Sequence, residues 1–167
     1  MEFTASIEFD APAPEVAAML ADPEYARHKV ALSGATSGTA DVLGDAAGAF
    51  TVTTRRVLPT TDIPAAYRSF VGSSLEIRQV EAWEAPAADG SRRGTIALDV
   101  TGAPVRVTGS LSLTPAPDGH AVERIAGDIK ASVPFVGKTV ERAVADNVHR
   151  VVALERKAAA DWLAGHR

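Results

Sequence analysis

The sequence predicts an α+β fold: a seven-stranded antiparallel sheet, two short helices after the first strand, and one long helix near the C-terminal end. Three observations carry this reading. Apolar residues alternate with period two through most of residues 33–133. The breaks between these runs are short and turn-like, which joins consecutive strands as hairpins. From Pro134 onward the period changes to three and four residues, the spacing of one helix face.

The first strand is residues 1–10, where Phe3, Ala5, Ile7 and Phe9 share one parity against Glu2, Thr4, Ser6 and Glu8. The run Ala11-Pro12-Ala13-Pro14-Glu15-Val16 then opens a short helix, with Pro14 at a position where a missing N–H costs nothing. Asp22-Pro23 repeats the start signal, a capping aspartate before proline, so a second short helix covers 23–32. Strands follow near 37–43, 48–58, 74–85, 93–101, 104–114 and 121–133, separated at Gly44-Asp45, Asp89-Gly90, Gly102-Ala103-Pro104 and Asp118-Gly119. The Gly/Ala/Ser-rich stretch 33–49 lacks Gly-x-x-x-x-Gly-Lys and reads as turn and strand edge, not as a phosphate loop.

One connection is too long for a hairpin. In residues 59–72, Ile63, Tyr67, Phe70 and Val71 fall at helical spacing, which predicts a short amphipathic helix or flap between two strands. The final helix, 134–164, places Val140, Val144, Val151, Ala158 and Trp162 within about 40° of one another at 100° per residue. Valine is a modest helix former, so this helix depends on burying its stripe. The expected core is Phe3, Ile7, Val52, Leu111, Ile129, Val140, Val144 and Val151.

Composition agrees with one domain over residues 1–167. The chain is 46% hydrophobic and 23% charged, close to the globular average, and long enough to bury a core without staples. It has no cysteine, which excludes thiol catalysis, thiolate metal sites and disulfides. A net charge of −4 argues against nucleic-acid or anionic-membrane binding on average, although a local basic patch is compatible with it. No apolar run approaches the roughly 18 residues of a membrane span, so stable membrane insertion is not expected. No signal-peptide pattern is visible either, and a cytoplasmic protein is the default expectation. Oligomeric state is not legible.

The order of elements, with the N-terminal wording Ala-Pro-Ala-Pro-Glu-Val and then Leu20-Ala21-Asp22-Pro23, resembles the START-like superfamily. That superfamily includes the polyketide cyclase/dehydratase, lipid-transport and birch-pollen-allergen types. Within it the chain looks most like an actinobacterial group carrying a domain of unknown function; thirteen arginines against four lysines suit a high-GC genome. The resemblance implies a helix-grip fold, in which the sheet curves around the C-terminal helix and a cavity lies between them. It also implies a hydrophobic or amphipathic small-molecule ligand such as a lipid, isoprenoid or polyketide-like compound. The residues themselves show one apolar sheet face and one apolar helix face, which can equally close on each other.

Polar residues on the inward parity are the candidate ligand-binding groups. Arg56 shares a face with Phe50, Val52 and Thr54; Gln79, Glu81 and Trp83 share one with Leu75 and Ile77; Asn147 falls near the centre of the helix stripe. A buried charge must be paired or reach water, so Arg56 and Glu81 are expected either to pair across consecutive strands or to lie at the rim. A β-bulge turning Glu81 outward is the structural alternative. Asn147 serves a ligand or a structural hydrogen bond, and Trp83 serves the lining or the core. Tyr67 and Phe70, on the flap, are candidates for a pocket gate or for ordinary packing. Glu81 as a general base in a cyclase or dehydratase is the enzymatic alternative, since burial raises a carboxyl pKa. A third reading is an interaction module with a closed interior. His28, His120, His149 and His166 lack metal-ligand spacing, and no Gly-x-Ser-x-Gly occurs, so no metal, no cofactor and no nucleophilic triad are expected. Arg92 and Arg93 flank a hairpin tip and read as solvated loop charge.

Overall fold

The computed structural model describes residues 1–61 and 72–165. The sheet strands are β1 Glu2–Phe9, β2 Ser37–Gly44, β3 Phe50–Pro59, β4 Ser74–Trp83, β5 Arg92–Thr101, β6 Val105–Pro115 and β7 Ala121–Ala131. All pairs are antiparallel, in the order β1-β7-β6-β5-β4-β3-β2, so the first strand closes onto the last and the rest form a meander. The described helices are α1 Ala13–Leu20, α2 Pro23–Leu32 and α3 Gly137–Gly165. This is a helix-grip arrangement: a curved sheet around a long C-terminal helix. The proposed flap helix, with Tyr67 and Phe70, lies outside the described residues.

Local chemistry sets the element ends. Asp22 caps α2, its carboxylate accepting from the Glu24 N–H at 2.7 Å, with Pro23 following. α1 begins one residue earlier than Pro14 suggests, with Ala13 as its first residue. Near the β1 edge of the sheet Gly109 faces Gly127, and Gly127 faces Phe3. A Cβ on Gly127 would meet the Phe3 ring at 2.7 Å, so glycine is needed for that ring to lie across the strand.

The core fills one half of the inner face. Ile7, Phe9, Phe50, Trp83, Leu111, Leu113 and Ala121 of the sheet are buried with Val16, Met19, Tyr25 and Ala26 of the short helices and Ala158, Ala159 and Leu163 of α3. Trp83 stacks on Phe50, with ring centroids 6.3 Å apart. Ile129 and Val107 are also buried, whereas Leu58, Leu75, Ile77, Leu98 and Val100 remain half-buried at the opposite end of β3, β4 and β5.

Two expectations are corrected. Of the expected core, Ile7, Val52, Leu111 and Ile129 are buried, Phe3, Val140 and Val144 half-buried, and Val151 is 43% exposed. The face of α3 that packs on β1, β7 and α2 carries Glu141, Val144, Val148, Val152, Glu155 and Ala159. It is turned roughly 60° from the valine stripe. The reason is polar: buried Glu141 accepts from the Ala131 N–H at 3.2 Å and Glu155 from Lys29, so two glutamates sit where hydropathy predicted none. Asn147 consequently falls off the buried face and is exposed.

Arg92 is the second correction. It is 4% exposed and donates to the carbonyls of Gly48, Glu84 and Ala46, with the Phe50 ring 5.5 Å away; only Arg93 is solvated. The inward parity of Arg92 on β5, opposite Leu113, decides this.

These placements separate core from surface. Urea denaturation of Ile129→Ala should show a loss of about 2–5 kcal/mol, while Val151→Ala should stay within about 0.5 kcal/mol. Arg92→Met strands three carbonyls and should cost at least about 2 kcal/mol by the same measurement.

Candidate functional site

Gln79 is the joint of a polar chain on the inner sheet face. In the β3–β4 register, Arg56 lies opposite Ile77 and Glu81 opposite Val52, so the two charged residues are four positions out of step. That offset, about 13 Å along a strand, prevents the direct Arg56–Glu81 pair expected from consecutive strands. Gln79 spans the gap: the Arg56 Nη2 donates to its Oε1 at 2.8 Å, and its Nε2 donates to Glu81 Oε1 at 2.7 Å. Both charged side chains face inward, so no bulge diverts Glu81.

Glu81 has instead a cation from α2. The Lys29 ammonium lies 3.6 Å from Glu81 Oε1 and 3.0 Å from Glu155 Oε2 of α3, with all three side chains largely buried. Burial works against the Lys29 charge, but Glu155 and Glu81 outweigh it and hold its pKa well above the ordinary value. Tyr25, one turn before Lys29, presents its ring 5.6 Å from the ammonium and packs edge-on against Trp162 at 5.5 Å. Burial raises the Tyr25 hydroxyl pKa and lowers that of the Arg56 guanidinium.

A third carboxyl completes the group. Glu123, on β7 opposite Ile7 and Leu113, is 5% exposed. Its pKa rises to about 8, first through burial and then through repulsion by Glu81 and Glu155. It is therefore largely neutral at pH 7.

Lys29, Val30, Thr54, Arg56, Gln79 and Glu155 line a void of only about 10 Å³, roughly the space of one water. The Arg56 Nε is buried with no partner among the described residues. Arg56 thus stands at a boundary, with the closed ionic cluster on one side and the half-buried apolar wall of Leu58, Leu75, Ile77, Leu98 and Val100 toward the other end. Elsewhere, a larger groove of about 210 Å³ lies between the end of β1 and the last turns of α3, lined by Phe9, Asp10, Arg156 and Leu163 among others.

Arg56, Gln79 and Glu81 therefore come together as a unit. Trp83 belongs to the packed core, Asn147 is exposed, and Tyr67 and Phe70 lie outside the described residues. Lys29, Glu123 and Glu155 are the members that sequence reasoning missed. Glu123 shares the parity of Ile125 and Ile129, and Lys29 sits four residues after Tyr25 on one helix face, so parity and spacing were available signals.

The cluster makes stability depend on pH with a definite sign. Glu123 has a folded pKa of about 8 against an ordinary 4.5, so the folded state holds the extra proton between those values. Stability from this group is complete below pH 4.5 and is lost as pH rises through 8. The Lys29 contribution, raised above 10.5, does not change in that window. The Tm should fall from pH 5 to pH 9, and Glu123→Gln should flatten that fall. Lys29→Met leaves two carboxylates facing each other and should cost about 3–5 kcal/mol at pH 7.

An uncharacterised protein of Mycobacterium tuberculosis, Rv0481c, is 24% identical over 96% of this chain and 95% of its own. The structure of a START superfamily protein from Mycobacterium smegmatis matches with a TM-score of 0.57 at 11% identity, covering 96% of this chain and 98% of the other. The ZhuI aromatase/cyclase from Streptomyces sp. R1128 matches with a TM-score of 0.58 at 11% identity, covering 95% and 90%. These structural likenesses confirm the START-like fold. The model of the family described as "Protein of unknown function (DUF2505)" matches residues 4–163, nearly the whole chain, and the protein belongs to that family.

Proposed function

We propose that the protein binds and carries a hydrophobic or amphipathic small molecule, of lipid, isoprenoid or polyketide-like character, between the open half of the sheet and α3. One observation carries this reading. Leu58, Leu75, Ile77, Leu98 and Val100 stay half-buried on the inner face, and Arg56 borders them from within. Apolar side chains left partly wet on a concave face favour an apolar occupant, at roughly 25 cal/mol per Å² covered. The aromatase/cyclase and START-type proteins named above use the same fold, which supports a ligand-binding frame without assigning a ligand.

Arg56 is the polar anchor in this reading. Gln79 takes one Nη2 hydrogen bond, and the guanidinium retains further donors for a carboxylate or carbonyl at the ligand's polar end. Glu81 is engaged by Lys29 and Gln79, so its role is to hold Gln79 and, through it, the Arg56 head. The ligand's apolar body would lie along the Leu58–Val100 wall.

The measurement is fluorescence titration with a long-chain fatty acid probe and its methyl ester. Arg56→Met should weaken the acid roughly 10- to 100-fold, the range of a charge-assisted hydrogen bond, and change the ester less than about threefold. Equal loss of both probes with Tm unchanged removes the anchor. Native mass spectrometry of the purified protein should show a co-purified small molecule in the wild type.

A further inference from the structure

We propose that the loop between β7 and α3 is a membrane-touching tip, which seats the Phe135 side chain in the interface of a bilayer containing anionic lipids. Phe135 is the most exposed large apolar residue described, at 107% of its reference area. Its backbone φ is 65°, and the Val136 N–H donates to the Pro134 carbonyl at 2.8 Å across it. That is a γ-turn with positive φ at its centre, a rare and strained conformation, and a bulky aromatic is a poor occupant of it. Glycine would suit the turn better, so Phe135 is kept there against local stability, a pattern that marks functional positions.

The tip is rigidly mounted. The Ser132 N–H donates to the Pro104 carbonyl at 2.9 Å, and the Gly137 N–H to the Val133 carbonyl at 2.9 Å, so neighbouring backbone on both sides is tied down. Phe135 therefore projects from a backbone that is hydrogen-bonded on both sides. The strand register places the loop at the end of the sheet that also carries Leu58, Leu75 and Val100, the half-open end of the inner face.

Charge argues for a bilayer as the occupant. Arg106 and Lys130, paired in the β6–β7 ladder one step from its end, and Lys138 in the first turn of α3 flank the loop in sequence and register; their side chains are 65%, 79% and 90% exposed, and their carboxylate partners Asp99, Asp128 and Glu141 are 48%, 37% and 8% exposed. Arg142, one turn further along α3, is exposed as well. In each of these three pairs the cation is the more exposed member, despite the net charge of −4 for the whole chain. An exposed aromatic flanked by exposed cations suits an anionic headgroup region over an acyl boundary. The proposal extends the carrier reading without depending on it, because vesicle association is measured with no ligand present.

The experiment is co-sedimentation with sucrose-loaded vesicles of phosphatidylcholine containing phosphatidylserine, beside vesicles of phosphatidylcholine alone. Wild-type protein should partition to the anionic vesicles and lose that partitioning in high salt. Phe135→Gly should weaken partitioning roughly tenfold or more, the value of burying one large apolar side chain, while Tm stays level or rises as the turn relaxes. Phe135→Leu should retain most of the binding. Lys130→Gln with Lys138→Gln should weaken binding to anionic vesicles only. Absence of wild-type binding to anionic vesicles, or unchanged binding by Phe135→Gly, overturns the proposal. So does a Phe135-dependent change in oligomeric mass without vesicle binding, which assigns the tip to a protein contact instead.

Discussion

A single buried ammonium fixes how the helices sit on the sheet. Lys29 belongs to α2, Glu155 to α3 and Glu81 to β4, so the cation between the two carboxylates positions three elements that share no local sequence. Taking that ammonium out of water costs several kcal/mol, and Glu155 and then Glu81 are the charges that offset it. The three charges meet on the inner face at the β4 position of Glu81. The short helices and the last turns of α3 are drawn over that place, and the core forms around it.

The opposite end of the inner face is left different in kind. A helix of 29 residues is a rod of about 44 Å, and a curved sheet meets a straight rod along a limited line. α3 packs on β1, β7 and α2, while the inward residues of β3–β5 at the far end stay half-wet. Apolar side chains left half-wet on an inner face keep free energy available for a further apolar contact. Arg56 stands at the junction of the two regions. Behind it lies a saturated ionic network with room for little more than a water, and ahead of it lies hydrocarbon wall.

This division also separates structural charge from available charge. Glu81 and Lys29 satisfy each other; Glu123 avoids the problem by staying protonated. Arg56 donates to a neutral partner, Gln79, rather than to a carboxylate, so its hydrogen bond leaves the charge unpaired by direct contact among the described residues. The fold is shared by proteins of several activities, so such placements, rather than the architecture, carry the functional content. The Phe135 turn belongs to the same end of the molecule, where local stability is given up at a solvent-facing tip.

Strand parity, turn residues and proline-marked caps are local, and they determined the seven strands, the two short helices and the inward direction of Arg56, Gln79 and Glu81. Backbone hydrogen bonding and side-chain alternation act over a few residues, which is why this much was legible. Partner choice was not. The four-position offset between Arg56 and Glu81 follows from the β3–β4 register, and the rotation of α3 follows from glutamates that find donors on distant elements. Hydropathy ranks Glu141 and Glu155 as surface residues, Arg92 as loop charge and Val151 as core; tertiary contacts reverse each assignment, because a buried polar group is decided by what faces it and not by its own composition.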